Sequence, residues 1–97
     1  MATLIAVTTS REGHNDDLRS YVDQAVPMLL GAGGQVVKRL AVTDVVAGGS
    51  KAANVLVMDF PDAQTVRAVF DSDGYKALIP VRDRAFEHID ILITEDL

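Results

Sequence analysis

The chain has 97 residues, a formal net charge of −5 and no cysteine. Its length suits a single domain over residues 1–97, and the missing thiols exclude disulfides, thiolate catalysis, iron–sulfur clusters and cysteine zinc sites. The acidic balance, with no run of lysine or arginine, disfavours nucleic acid as a partner. No apolar run approaches the ~20 residues that cross a bilayer, and the first residues alternate like a strand, so we expect a cytoplasmic protein with no membrane partner.

The first half of the chain predicts a strand, a helix and a second strand. Residues 4–8 are short, apolar and partly β-branched, which is typical of a strand. A helix is predicted next, with Asn15 among its cap candidates and glycines 31, 33 and 34 at its end. One face of this helix is apolar and comprises Leu18, Tyr21, Val22, Ala25 and Leu29. Residues 35–46 predict a long or bulged strand.

The second half predicts a strand, helical segments and a last strand. Residues 54–60 have the strongest strand pattern of the chain. Asp62 is the expected cap of a short helix and Ser72 of the next one, which Pro80 interrupts. Phe86 is expected on the apolar face of that second helix. Residues 89–94 alternate as a final strand.

The element order is therefore βαββαβ, which predicts an α+β fold of the ferredoxin-like kind. Such a fold has a four-stranded antiparallel sheet with both helices on one face. One face would carry Ile5, Val7, Val55 and Val57 and the other Leu4, Ala6, Leu56 and Met58, so the face that the helices leave uncovered is apolar in either case. An apolar sheet face needs a cover, and we expect a homodimer in which two sheets pack face to face as a dimeric α/β barrel.

Asp59 is the leading candidate for catalysis, since a carboxylate in an apolar central strand needs a partner or a function. Arg82 lies on a mostly apolar helical face, so it is expected either to pair with Asp59 or to bind an anionic group of a ligand. The competing interpretation of both residues is structural. In that case Asp59 is a strand-end acid, and the two charges simply neutralise each other.

Three further residues are weaker candidates. His14 stands in a loop and could carry a proton at the mouth of a barrel, although loop histidines are usually only solvated. Tyr75 and Arg39 are candidate substrate contacts, with core packing and solvation as their alternatives. The two histidines lack metal-ligand spacing, so we predict neither a metal site nor a cofactor.

Several short motifs resemble a known family. They are Gly33-Gly34 before a strand with Arg39, Met58-Asp59-Phe60-Pro61, and residues 71–78 leading to Arg82. In these motifs the chain is similar to the uncharacterised bacterial dimeric α/β-barrel proteins called domain of unknown function thirteen-thirty. The resemblance implies a ferredoxin-like protomer and a two-sheet barrel, but it implies no particular reaction.

The expected fold and the candidate site residues together favour a protein that binds a small apolar or anionic organic molecule. If it is an enzyme, cofactor-independent oxygenase or isomerase chemistry is expected, with Asp59 or His14 moving the proton and Arg82 holding the anion. The alternative is a non-catalytic ligand-binding or assembly module. Fold alone does not decide between these functions.

Overall fold

A computed structural model describes all 97 residues and contains four strands and four helical segments. The strands are β1 (Ala2–Ser10), β2 (Gln35–Ala41), β3 (Asn54–Phe60) and β4 (Phe86–Glu95). The helices are α1 (Asn15–Gly31), α2 (Ala63–Asp71), α3 (Asp73–Lys76) and α4 (Ile79–Ala85). None of the helices is long and apolar enough to cross a membrane.

The strands form one antiparallel sheet in the order β2-β3-β1-β4. This is the strand order expected when each βαβ half crosses over one strand, so the predicted ferredoxin-like α+β fold is confirmed. The second crossover consists of three short helices. Asp62 caps α2 by accepting a hydrogen bond from the backbone N of Thr65 at 2.7 Å. Ser72 caps α3 by accepting one from the backbone N of Tyr75 at 3.2 Å.

The core lies between the sheet and the helices. Leu4, Met58 and Phe60 point from the two central strands towards this layer and are almost completely buried against Val66 of α2. A second cluster is formed around Tyr21 of α1 and includes Tyr75 and Phe86. Each large side chain buried in this way stabilises the fold by roughly 1.5–3 kcal/mol. The core therefore holds the helices on one face of the sheet only.

The other side of the sheet, which we call the open face, carries apolar side chains without a covering layer. Ile5 lies opposite Val57 and Val7 opposite Val55, and all four are only half-buried. Leu40 and Leu92 on the edge strands extend this surface, with 46% and 47% of each residue exposed. The Cα atoms extend only 17 Å along the shortest axis, which corresponds to one sheet and one helical layer.

Three local predictions are wrong. β2 is bulged, as one form of the prediction had it, but it ends at Ala41 instead of continuing to residue 46, because residues 42–53 leave the sheet as a loop. Phe86 begins β4, where it still reaches the core, so an apolar residue at helical spacing was in fact the first residue of a strand. His14, not Asn15, occupies the cap position of α1, and no side chain caps that helix.

Gly34 permits the close approach of α1 to the sheet. A Cβ atom there would lie 2.8 Å from the carbonyl oxygen of Leu29 and 2.6 Å from Cζ of Phe60. Gly34→Ala should therefore lower the free energy of unfolding by about 1–3 kcal/mol, the usual cost of overpacking. Urea unfolding measures this loss.

Gly31→Ala is the matched control, because a Cβ atom at Gly31 would meet nothing within 4 Å. We expect that variant to unfold at the same or a higher urea concentration than the parent. Equal stability of the two variants would contradict the packing described for Gly34.

Candidate functional site

Asp59 lies on the open face, near the end of β3. Its side chain shares that face with Val55 and Val57, and the residue is half-buried. The hydroxyl of Thr3, directly opposite on β1, donates a hydrogen bond of 2.9 Å to Oδ1 of Asp59. No side chain bonds its other oxygen, so one carboxylate oxygen remains available on an otherwise apolar surface.

Asp59 and Arg82 do not form the predicted pair. Arg82 belongs to α4, which packs on α1 in the helical layer, whereas Asp59 points to the opposite face of the sheet. Arg82 instead donates a 3.3 Å hydrogen bond to the hydroxyl of Tyr75 and forms an ion pair of 3.3 Å with Asp83. The pairing was wrong because alternation gives the parity of a strand residue but does not show on which side of the sheet a helix will pack.

Tyr75 forms a buried phenol pair with Tyr21. Their hydroxyl oxygens are 2.7 Å apart, and Arg82 stacks over the Tyr75 ring with its guanidinium carbon 5.9 Å from the centroid. Phe70 and Phe86 pack edge-on against these two rings. The predicted substrate contact is thus a buried residue of the core, with its hydroxyl linked to Arg82 at the edge of that core.

His14 is far from Asp59. The strand β1 runs from Thr3, beside Asp59, to Ser10, which is about 23 Å at the usual ~3.3 Å per residue. His14 follows that far end, and its Nδ1 bonds Oδ2 of Asp17 at 3.0 Å. The bond with His14 lowers the pKa of the Asp17 carboxyl, and Arg84, 3.4 Å from the same carboxylate, contributes to the shift. Within one protomer, His14 and Asp59 cannot act on one small molecule.

A bulge in β2 decides which basic residue reaches the open face. Gln35 lies opposite Asp59, but Lys38 lies opposite Val57, so Val37 is an extra residue and the later side chains change face. Arg39 consequently lies opposite Leu56, on the helical side of the exposed edge strand. Lys38 takes the open-face position, and sequence parity could not reveal this because it cannot place a one-residue bulge.

The surface has five pockets, and none of the candidates from the sequence lines either of the two better-formed ones. A pocket of about 600 Å³ opens between α1 and α2 and is lined in part by Met28, Ala68 and Val69. A pocket of about 530 Å³ lies at the start of β4 and has only polar and glycine walls, including those of His88 and Asp90. From the sequence, His88 was considered only as one of two histidines without metal-ligand spacing.

Solved structures support the fold class. A protein of unknown function from Rhodopseudomonas palustris has a TM-score of 0.82 at 14% identity, covering 99% of this chain and 82% of that one. A protein of the ethyl tert-butyl ether d (ethd) family from Bacillus halodurans has a TM-score of 0.65 at 20% identity, covering 100% and 99%. A protein from Bacteroides fragilis, described as dimeric with a ferredoxin-like fold, has 0.62 at 11%, covering 98% and 95%. The chain is thus similar to ferredoxin-like α+β proteins.

The family described as Domain of unknown function (DUF1330) matches residues 4–97, and the chain belongs to that family. No curated protein matches the sequence. The family resemblance found in the sequence is therefore confirmed. Each of the three motifs that carry it has a structural role here, because Gly34 permits close packing, Phe60 fills the core beside it and Ser72 caps α3.

The phenol pair predicts a loss of stability in alkali. Burial raises the pKa of the Tyr21 phenol far above its ordinary value of about 10, and the hydrogen bond with Tyr75 raises it further. Above pH ~10 the unfolded chain ionises this phenol while the folded chain does not, so the free energy of unfolding should fall as pH rises. Below pH ~10 the contribution is constant.

Urea unfolding at about pH 9 and about pH 11 tests this expectation. Tyr21→Phe should weaken the pH dependence, because it removes the perturbed phenol, and should cost about 1 kcal/mol at neutral pH through the lost hydrogen bond. An unchanged alkaline slope in the variant would show that Tyr21 is not the responsible group.

Proposed function

We propose that the chain functions as a cytoplasmic homodimer of single-domain protomers that binds a small organic molecule between two sheets. In this proposal each open face is covered by that of a second copy, which gives a dimeric α/β barrel. The main observation in support is the apolar centre of the open face, which has no covering layer and is formed by Ile5, Val7, Val55 and Val57.

The shape of the protomer supports the proposal. A two-layer slab 17 Å thick leaves one face of its sheet exposed to water. A second sheet stacked about 10 Å away would cover that face. Only 13 of the 97 residues are buried, which is a small core for a chain with 48% hydrophobic residues. The similar Bacteroides fragilis protein is described as dimeric, which agrees with a second copy as the cover.

Asp59 and Lys38 supply the polar groups of the proposed binding site. The oxygen of Asp59 not bonded to Thr3 can accept a hydrogen bond from a ligand hydroxyl. Lys38, next to Asp59 along the diagonal of the β2 and β3 pair, can receive an anionic group. The apolar side chains between the sheets would hold the rest of the molecule. Arg82 and Tyr75 bind each other on the far side of the sheet, so the proposal gives them no ligand contact.

The same arrangement suits proton transfer without a cofactor. A carboxylate closed off from water beside a bound substrate can take a proton from its O–H or acidified C–H group, and Lys38 can stabilise the anion that forms. Isomerisation and cofactor-independent oxygenation both begin with such a step. The alternative, a non-catalytic binding module, uses the same contacts without the proton transfer.

The dimer is tested by a charge placed on the open face. Leu92→Glu puts a carboxylate on β4 opposite Ile5, and it should convert the dimer to monomers because a buried unpaired charge costs several kcal/mol. Leu30→Glu is the matched control, since Leu30 lies on α1 with 49% of the residue exposed, close to the 47% of Leu92. Light scattering after size-exclusion chromatography measures the mass of both variants.

We expect dimers for the parent and for Leu30→Glu and monomers for Leu92→Glu. A monomeric parent would overturn the proposal. A dimeric Leu92→Glu variant would show that the copies associate through another surface.

Asp59→Asn tests the ligand contact and keeps the acceptor oxygen that Thr3 binds. We expect the free energy of unfolding to change by less than about 1 kcal/mol, while native mass spectrometry shows at least tenfold less co-purified small molecule on the dimer. Asp23→Asn, on the exposed side of α1, is the control and should retain the molecule. A large loss of stability with full retention would identify Asp59 as a structural acid.

A further inference from the structure

The polar pocket at the start of β4 has features of a second binding site. It holds about 530 Å³ and lies at the opposite end of the sheet from Asp59, where β1 ends. The loop between β2 and β3 forms one wall and is attached to β1 by two hydrogen bonds. The hydroxyl of Thr9 donates to the carbonyl oxygen of Lys51, and the backbone N of Ala53 donates to that of Thr8 at 2.9 Å.

A second bulge forms the other wall. Thr9 lies opposite His88 and Ser10 opposite Phe86, so Glu87 is an extra residue of β4. Neighbouring side chains on a regular strand point to opposite faces, yet Glu87 and His88 both line this pocket. Bulges are frequent beside binding sites because they redirect side chains in this way.

Asp90 fixes the orientation of His88. Nε2 of His88 and Oδ2 of Asp90 are 2.9 Å apart, and the two residues stand two positions apart on the same face. In the neutral ring the nitrogen facing the carboxylate carries the hydrogen, so Nδ1 is the acceptor. No side chain in the chain bonds that nitrogen, which leaves it available to a donor in the pocket.

The remaining charges of the pocket are of opposite sign. Lys51 and Glu87 both line it, and neither forms a salt bridge within the chain. No hydrophobic residue contributes to the walls. An apolar ligand would remove water from these charges without replacing its hydrogen bonds, and a molecule with a single charge would leave Lys51 or Glu87 uncompensated.

We propose that this pocket binds a small zwitterion of the amino-acid type. Lys51 binds its carboxylate, while Glu87 and Nδ1 of His88 accept hydrogen bonds from its ammonium group. His88 and Asp90 share the open face with Val7, at the end of the sheet away from Asp59. All the walls come from one protomer, so the site lies beside the proposed dimer contact but needs no residue of the second copy.

Backbone amide NMR of the full-length protein tests the site with glycine, acetate and methylammonium as probes. Glycine should give saturable shifts at Ser50, Lys51, Glu87 and His88, with at least tenfold tighter binding than either singly charged probe. Lys51→Met and Glu87→Gln should each weaken glycine binding at least tenfold. Arg67→Met is the control, because Arg67 is exposed on α2, away from the pocket, and should bind glycine like the parent.

Two results would overturn the inference: no saturable shift with glycine, or acetate or methylammonium bound as tightly as glycine, which indicates a simple ion site. The Leu92→Glu variant separates this inference from the proposed function. If that variant is monomeric and still binds glycine, the pocket belongs to the protomer. If the parent is monomeric but binds glycine, the dimer fails and the zwitterion site stands.

Discussion

The structure depends on one constraint, which is that a single helical layer can cover only one face of a sheet. Leu4, Met58 and Phe60 on one side of the central strands are almost fully buried under α1 and α2. Their neighbours Ile5 and Val57 point to the other face of the same strands and remain half-exposed. Burial of apolar side chains would therefore stabilise both faces, but the chain itself buries only one of them. The proposed dimer and the proposed ligand site both follow from this imbalance.

Much of the fold could be predicted because the helix caps and the spacing of apolar residues indicate the same helices and strands. The apolar helical face of α1, the alternation of β4 and the caps at Asp62 and Ser72 each fix an element through interactions between residues close in sequence. The wrong boundaries occur where a tertiary effect overrides the local pattern. Phe86 continues a helical spacing but is the first residue of β4, where it packs on Tyr21.

The site was harder to predict because side-chain direction depends on features that the pattern does not contain. Alternation correctly groups Asp59 with Val55 and Val57 on one face of β3, but it does not show that this face is the open one. Arg39 and Lys38 differ because a bulge of one residue exchanges their faces, and no residue type marks that bulge in the sequence. Glu87 and His88 line the same pocket for the same reason, because β4 also contains a bulge of one residue. The predicted pair of Asp59 with Arg82 is wrong for a related reason. The side of the sheet on which the helices pack depends on the packing of all the helices together, which the pattern around a single residue does not show.

The irregularity of β2 also affects how the sheet can grow. A straight edge strand with free N–H and carbonyl groups is a template for further strands, and continued addition leads to fibres. Here the edge is interrupted at Val37 and carries Lys38 and Arg39 beside the interruption, so an added strand would meet a broken ladder and two positive charges. This edge of the sheet is thereby protected against the addition of further strands, which leaves the open face as the surface on which the proposed second copy would pack.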